Sequence, residues 1–225
     1  MRTLIIVPAY NEEGSIKRVI DNLKDNYPQY DYIIVNDGST DATSQISHDN
    51  GFNIIDLPVN LGLSGAFQTG IKYAYKHGHD LAVQFDGDGQ HRPEYISKMM
   101  EKAAEGYNIV IASRFLEKNK AHSARAFGGK MISLAIKLTT GVKITDPTSG
   151  MRLFDRSIIE KCAVNNDYGP EPDTVSYMIR KGAKVAEVQA VMDERTTGES
   201  YLNLSASFKY MVRMMMSILF IQAFR

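Results

Sequence analysis

VQFDGDGQH, Val83 to His91, runs an apolar strand straight into two aspartates one residue apart, with a glycine after each. A buried strand opening into an acidic, glycine-rich turn reads as the strand-to-helix junction of an open α/β sheet. The junction recurs along the chain. Strands are predicted at Leu4 to Val7, Tyr32 to Val35, Asn53 to Leu57, Leu81 to Phe85 and Ile109 to Ala112. Between them, apolar residues fall at helical spacing: Ile16, Val19, Ile20 and Leu23, then Phe67, Ile71, Ala74 and Tyr75, then Ile96, Met99, Met100 and Ala103. Ser39 or Thr40 is placed to cap a helix ending near Gly51, Gly78 and Gly106 stop two others, and Pro93 stands where a first helical turn accepts it. Repeated units of this kind predict an α/β fold, a doubly wound, mainly parallel sheet with helices on both faces.

After Arg114 the rhythm breaks into a basic, polar loop from Glu117 to Arg125, a helix around Met131 to Leu138 and the turn Asp146-Pro147-Thr148-Ser149-Gly150. These read as additions around one core. Met151 to Phe154 and Lys184 to Val188 are further strand candidates, with a helix from Thr174 to Lys181 between them. With no internal repeat or low-complexity linker, residues 1–200 are expected to form one domain and residues 201–225 an appended C-terminal apolar helix. Met214 to Phe224 carries no charge and is apolar on nearly every helical face, yet it is shorter than the roughly 20 residues that span a bilayer. Two readings stand: a helix packed on the domain or on a second copy of the chain, and an interfacial membrane helix with Lys209, Arg213 and Arg225 at headgroup level.

The composition is that of an ordinary globular protein, 44% hydrophobic and 23% charged in 225 residues. Lys plus Arg equals Asp plus Glu at 26 each, so no global field attracts nucleic acid, and a charged ligand must be met locally. Cys162 is the only cysteine, which rules out an intramolecular disulfide and disfavours a cysteine-based zinc site. With a strand starting at once after Met1-Arg2, the expected address is the cytoplasm, with peripheral contact on the cytoplasmic face of the membrane if the tail is interfacial.

The polar residues share an address. The first strand ends in Pro8-Ala9-Tyr10-Asn11-Glu12, the second in Asn36-Asp37-Gly38-Ser39, the fourth in Asp86-Gly87-Asp88-Gly89-Gln90 and the fifth in Ser113-Arg114, which puts four clusters on one edge of a parallel sheet. Two carboxylates as close as Asp86 and Asp88 repel unless a cation lies between them. Mg²⁺ or Mn²⁺ answers that, taking one or two carboxylates and filling its shell with water and substrate phosphate. Asp88 is the leading ligand and the amide oxygen of Gln90 the second; Asp86 binds through water or meets a ribose hydroxyl. The glycines allow a diphosphate to approach the backbone. The alternative is a solvated turn. An EF-hand is excluded, because its sixth and twelfth positions would be Gly and Glu, where His91 and Ser97 stand. Asp37 is either a turn residue or a base reader, and as an acceptor it would favour the ring N–H of uracil or guanine. Asn60-Leu61-Gly62-Leu63-Ser64-Gly65 matches neither GxGxxG nor GxxxxGK[ST], and His91 is left out of the metal shell.

Taken together, VPAYNEE (Val7 to Glu13), VNDGSTD (Val35 to Asp41), NLGLSGAFQTG (Asn60 to Gly70), DGDGQH (Asp86 to His91), ASR (Ala112 to Arg114) and DPTSGMRLF (Asp146 to Phe154) resemble the family 2 glycosyltransferases across nearly all of residues 1–200. Gln90, at its spacing after the acidic pair, is similar to the dolichyl-phosphate mannose synthase and polyprenyl-phosphate sugar synthase branch. The resemblance implies a GT-A fold, a UDP- or GDP-sugar donor, a divalent metal and transfer with inversion. By the same resemblance Asp37 reads the base, Asp86 and Asp88 form the DxD pair, and Pro8, Ala9, Tyr10, Glu12, Gly62 and Gly87 line the nucleotide. Gln90 becomes a metal ligand. Arg114, Arg125 and Arg195 fall where that branch places arginines near phosphate, although Arg125 also reads as a solvated loop charge. The chain has no Trp, so the QxxRW motif of processive polysaccharide synthases is absent and long-chain polymerisation is disfavoured. VPAYNEE stands where a nucleotidyltransferase or a nicotinamide enzyme would carry its glycine-rich loop.

The acceptor sets the rest of the chemistry. A polyprenyl phosphate is already largely dianionic at neutral pH and needs no base. A hydroxyl of a lipid-linked saccharide needs one, and Glu171 and Asp173 in GPEPDT are the candidates, with helix capping the other reading of Asp173. Charge on the departing nucleoside diphosphate would be stabilised by the metal on Asp88 and by Arg114.

Overall fold

The computed structural model describes residues 1–117, 124–193 and 204–221, the side chains of 124–127 and 204–208 excepted. The elements run β1 (Thr3–Ala9), α1 (Ile16–Asn26), β2 (Asp31–Asn36), α2 (Thr43–Asp49), β3 (Ile54–Asp56), α3 (Gly62–Lys76), β4 (Leu81–Gln84), α4 (Tyr95–Ala104), β5 (Ile109–Ser113), α5 (Ala124–Thr140), β6 (Arg152–Asp155), α6 (Arg156–Val164), α7 (Pro172–Arg180), β7 (Val185–Gln189) and α8 (Leu204–Leu219). Seven strands form one sheet in the order β3-β2-β1-β4-β6-β5-β7. All neighbours are parallel except those of β6, which runs against both β4 and β5.

The sheet is fully buried at its centre, and alternate residues serve opposite faces. Leu4 and Ile6 join Phe67 and Ile71 of α3, Ile132 and Ile136 of α5, Ile158 of α6, Met178 of α7 and Met214 and Ile218 of α8. Ile5 and Val7 join Ile16, Val19, Ile20 and Leu23 of α1 and Ile96 and Met99 of α4. The helical stripes expected for α1, α3 and α4 are therefore the packed faces, except that Tyr75 is 43% exposed.

The sheet is mainly parallel, as expected, with β6 alone reversed. One expectation is corrected. Neither Ser39 nor Thr40 caps α2, whose N-cap is Ala42; the Ser39 hydroxyl instead accepts from the Asn11 N–H at 3.0 Å. α6 follows β6 with no loop between, capped by Asp155, which accepts from the Ile158 N–H at 3.0 Å, and it lay unread between two predicted elements. The inner face of the C-terminal helix packs on the domain, one of the two readings of this segment: Met214 and Ile218 are fully buried, and Arg180 of α7 donates to the Ile218 carbonyl at 2.8 Å. The outer face of α8 keeps Val212, Met216 and Phe220 exposed. No helix among the described residues is long and apolar enough to cross a membrane.

Candidate active site

Register brings the polar turns together. Ala9 pairs with Asn36 across β1 and β2, and Ile6 with Gln84 across β1 and β4, so the turns carrying Tyr10, Asp37 and Asp86 leave the same sheet edge. The β1 and β2 turns are bonded to each other. The Asp37 N–H donates to the Ala9 carbonyl at 2.8 Å, the Thr40 N–H to Asn11 Oδ1 at 2.8 Å and the Glu12 N–H to Thr43 Oγ1 at 2.8 Å. Asn11 adopts φ 56°, a left-handed conformation that asparagine tolerates and its side-chain bond to Thr40 supports. Glu12 accepts from the Ser15 hydroxyl at 2.8 Å, which turns it toward the start of α1.

Asp37 is 3% exposed, and its Oδ1 accepts from the Leu61 N–H at 2.7 Å, so the NLGLSG segment is fastened to the base-reading candidate at the entry to α3. Gly38 permits this: at φ 67°, a Cβ there would lie 2.7 Å from the Asn60 nitrogen. Gly62 opens α3 with φ 74° and with open space where a Cβ would be. Gly87 allows the β4 turn to close on β1, a Cβ there meeting the Pro8 carbonyl oxygen at 3.2 Å.

Asp88 is also 3% exposed and accepts the Gln90 N–H at 2.9 Å. The Gln90 Nε2 donates to the Asp193 carbonyl at 3.2 Å, which leaves the amide oxygen as its ligand-side atom. The side-chain oxygens of Asp86, Asp88 and Gln90 are of the chemical kind that a hard divalent cation takes. Among the described residues no three His, Cys, Asp or Glu side chains converge to hold a metal by themselves. A cation here would complete its shell with water and substrate oxygens, which suits Mg²⁺ or Mn²⁺ at a diphosphate.

The reversed β6 delivers a second set of residues to this edge, because it begins where its neighbours end: Arg152 pairs with Gln84 and with Ile111. The preceding turn is held from both sides. Buried Asp146 makes a bidentate ion pair with Arg114, at 2.7 and 2.8 Å, and the Ser149 hydroxyl donates to the Ala112 carbonyl at 2.6 Å. Arg114 is therefore at the site with two of its guanidinium nitrogens on a carboxylate, whose hydrogen bonds raise its pKa. Arg125 lies in the first turn of α5 with its side chain outside the described residues, and Arg195 lies outside them altogether.

Sequence reading passed over Arg152, which looks like a strand residue. Its guanidinium is 2% exposed and donates to the carbonyls of Ser149 at 2.9 Å, Pro147 at 2.7 Å and Pro170 at 2.5 Å. Burial depresses its pKa, against the pull of Tyr210, Glu171, Asp146 and Asp86. One buried cation joins the DPTSG turn to the GPEPDT segment. In that segment Glu171 accepts from the Tyr210 hydroxyl at 2.5 Å. Asp173 accepts the Thr174 N–H at 2.8 Å and the Ser217 hydroxyl at 2.6 Å. Both Tyr210 and Ser217 belong to α8, and burial followed by the Glu171 carboxylate raises the Tyr210 pKa. Asp173 thus sits in the first turn of α7 without capping it, since the N-cap is Glu171.

Residues 4–163 match glycosyl transferase family 2. An undecaprenyl-phosphate mannosyltransferase of Micrococcus luteus is 29% identical over 90% of this chain and 88% of its own. A UDP-N-acetylglucosamine–dolichyl-phosphate N-acetylglucosaminyltransferase of Methanococcus voltae is 34% identical over 69% of this chain and 70% of its own. Among solved structures, glucosyl-3-phosphoglycerate synthase of Mycobacterium tuberculosis, in complex with Mn²⁺, UDP and phosphoglyceric acid, superposes with a TM-score of 0.73 at 17% identity, covering 97% of this chain and 78% of that one. The likeness in structure is one of fold.

Proposed function

Because this chain belongs to glycosyl transferase family 2, we propose that it transfers a sugar, with inversion, from a UDP- or GDP-sugar to a polyprenyl phosphate. The observation that carries this reading is the arrival of Asp37, Asp86 and Asp88 from two different strands at one sheet edge, with Asp37 and Asp88 almost wholly buried. Each already holds a backbone N–H, from Leu61 and from Gln90, and a metal-bound nucleotide would add positive charge and further donors at the same edge. Asp37 would accept a ring N–H of the base. Asp86, Asp88 and Gln90 would hold Mg²⁺ or Mn²⁺, which when bound offsets the charge on the departing diphosphate. Arg114, Arg125 and Arg195 are proposed for the donor diphosphate or acceptor phosphate, and Pro8, Ala9, Tyr10, Glu12, Gly62 and Gly87 for the walls of the nucleotide site. The acceptor choice draws on relatives named for undecaprenyl and dolichyl phosphates. A phosphate nucleophile arrives deprotonated, which agrees with both oxygens of Asp173 being already engaged by Thr174 and Ser217.

Residues 1–200 would form the catalytic domain on this reading. Residues 201–225 would add a helix that packs inward through Met214 and Ile218 and meets the cytoplasmic face of the membrane through Val212, Met216 and Phe220. The test is incubation with a panel of UDP- and GDP-sugars, Mg²⁺ or Mn²⁺, and either polyprenyl phosphate or a lipid-linked saccharide. A glycolipid formed on the phosphate is the expected product. Transfer to the saccharide alone would replace this reading with that of a saccharide-extending glycosyltransferase.

A further inference from the structure

We propose that His91 is a positioning residue for Asp86, with its ring proton on Nε2, holding one carboxylate oxygen so that the other faces the nucleotide or its cation. The inference rests on the donor-binding reading above and gives that site a residue outside the acidic pair. The tautomer follows from geometry. The backbone N–H of Asp86 donates to His91 Nδ1 at 2.9 Å, so Nδ1 offers a lone pair and carries no hydrogen. A neutral imidazole then bears its hydrogen on Nε2, and that atom lies 3.4 Å from Asp86 Oδ2. The distance is longer than an ordinary hydrogen bond, a close polar contact that on this proposal orients the carboxylate.

The ring has little freedom to do anything else. It is 7% exposed and meets Phe85 edge-on, with centroids 5.4 Å apart and planes at 73°. The third wall is Gly150 at the entry to β6, where a Cβ would lie 2.8 Å from Asp86 Oδ2 and 3.2 Å from His91 Cε1. A side chain at position 150 would press on the Asp86 carboxylate and move it unless the neighbours gave way. His91 therefore holds Asp86 by its main chain and keeps Nε2 beside the carboxylate, with Gly150 behind the pair.

Two substitutions separate these contacts. H91Q can place an amide N–H where Nε2 was and keeps the contact to the carboxylate. H91N can place an amide oxygen where Nδ1 was and keeps only the bond to the Asp86 N–H. The full chain is titrated calorimetrically with UDP and with GDP, each with Mn²⁺. The ring nitrogens of the wild type are assigned separately by long-range ¹H–¹⁵N correlation on histidine-labelled protein. The expected results are an Nε2–H tautomer for His91, nucleotide affinity within about threefold of wild type for H91Q and a loss of about tenfold or more for H91N. A proton on Nδ1 overturns the inference whether or not either variant folds. So does H91N binding as tightly as H91Q, which would make His91 a turn fastener alone. A wild-type chain that binds neither nucleotide overturns the donor reading, and the inference falls with it; the first two outcomes leave the donor reading standing.

Discussion

Replacing Arg152 with methionine removes the guanidinium that bridges three carbonyls and leaves its strand position filled. Hydrogen bonds from a charged donor contribute about 1.5–3 kcal/mol each, so the bonds to Pro147, Ser149 and Pro170 would together contribute about 4–9 kcal/mol. Against that stands the several kcal/mol that burying a cation costs, a cost expressed in the depressed pKa of Arg152 and relieved by the neutral side chain. The net expectation is a loss of about 2–4 kcal/mol. For a chain of this length each kcal/mol moves the melting temperature by about 2–4 °C, so Arg152→Met should melt about 5–15 °C below wild type. Thermal unfolding followed by circular dichroism measures this, with urea unfolding as the equilibrium check. Arg152→Lys should recover little, because an ammonium is a point charge that cannot span three divergent carbonyls. A melting temperature within about 1 °C of wild type for Arg152→Met would refute the view that this cation holds the two turns together.

Asp88→Asn should remove most transfer while leaving the melting temperature nearly unchanged, and excess chelator should do the same to the wild type; full turnover in chelator would end the metal assignment. Asp173→Asn can still accept from the Thr174 N–H, so a phosphate acceptor predicts substantial retained transfer, whereas a loss of about 10²-fold with unchanged circular dichroism would identify a general base and a hydroxyl acceptor. Met216→Asp with Phe220→Asp, both at exposed positions, should abolish co-sedimentation with anionic vesicles without unfolding the chain; unchanged sedimentation removes the membrane reading of α8. Acid should destabilise the fold through Asp41 and Asp56. Burial opposes the shift in both, but hydrogen bonds from Thr43 and Glu13 to Asp41, and from Asn36, His48 and Ser44 to Asp56, hold each folded pKa below its unfolded value. Their contribution is therefore full above about pH 4 and is lost as pH falls through the folded values, so Asp41→Asn should flatten the melting temperature below about pH 4.

The legible part of the molecule is the part where local pattern and burial coincide. Ile16, Val19, Ile20 and Leu23 fall on one face of α1 and are all buried, and VQFDGDGQH ends its strand at Gln84 with the acidic turn beyond it. α6 went unread because RSIIEKCAV follows β6 with no turn residue between, and Asp155 closes the strand and caps the helix at once. The role of Arg152 was illegible for a different reason: an arginine in an apolar strand gives no local sign that it binds two carbonyls of the turn just before it and a third at Pro170. Ser39 and Thr40 misled because they have the right chemistry for a cap and are used to bind the neighbouring β1 turn instead. Ser217 lay in the run read for its apolarity and Tyr210 just before it, so their bonds to Glu171 and Asp173 could not be anticipated without the packing of α8 on α7.

The reversal of β6 ties these cases together. Strand direction decides which end of an element meets the ligand edge, and a four-residue strand such as β6 is about 13 Å long. Run parallel to its neighbours, Arg152–Asp155 would put Gly150 and the DPTSG turn at the far edge, that distance from Asp86. Asp146 could not then pair with Arg114, nor could Gly150 close on Asp86 and His91. The proposed donor half of the site comes from β1, β2 and β4 and is readable as successive strand-to-helix junctions; the other half reaches the same edge only because one strand enters from it. A register argument confined to parallel units therefore finds Asp37 and Asp86 and misses Arg152, although Arg152 pairs with Gln84, two residues before Asp86.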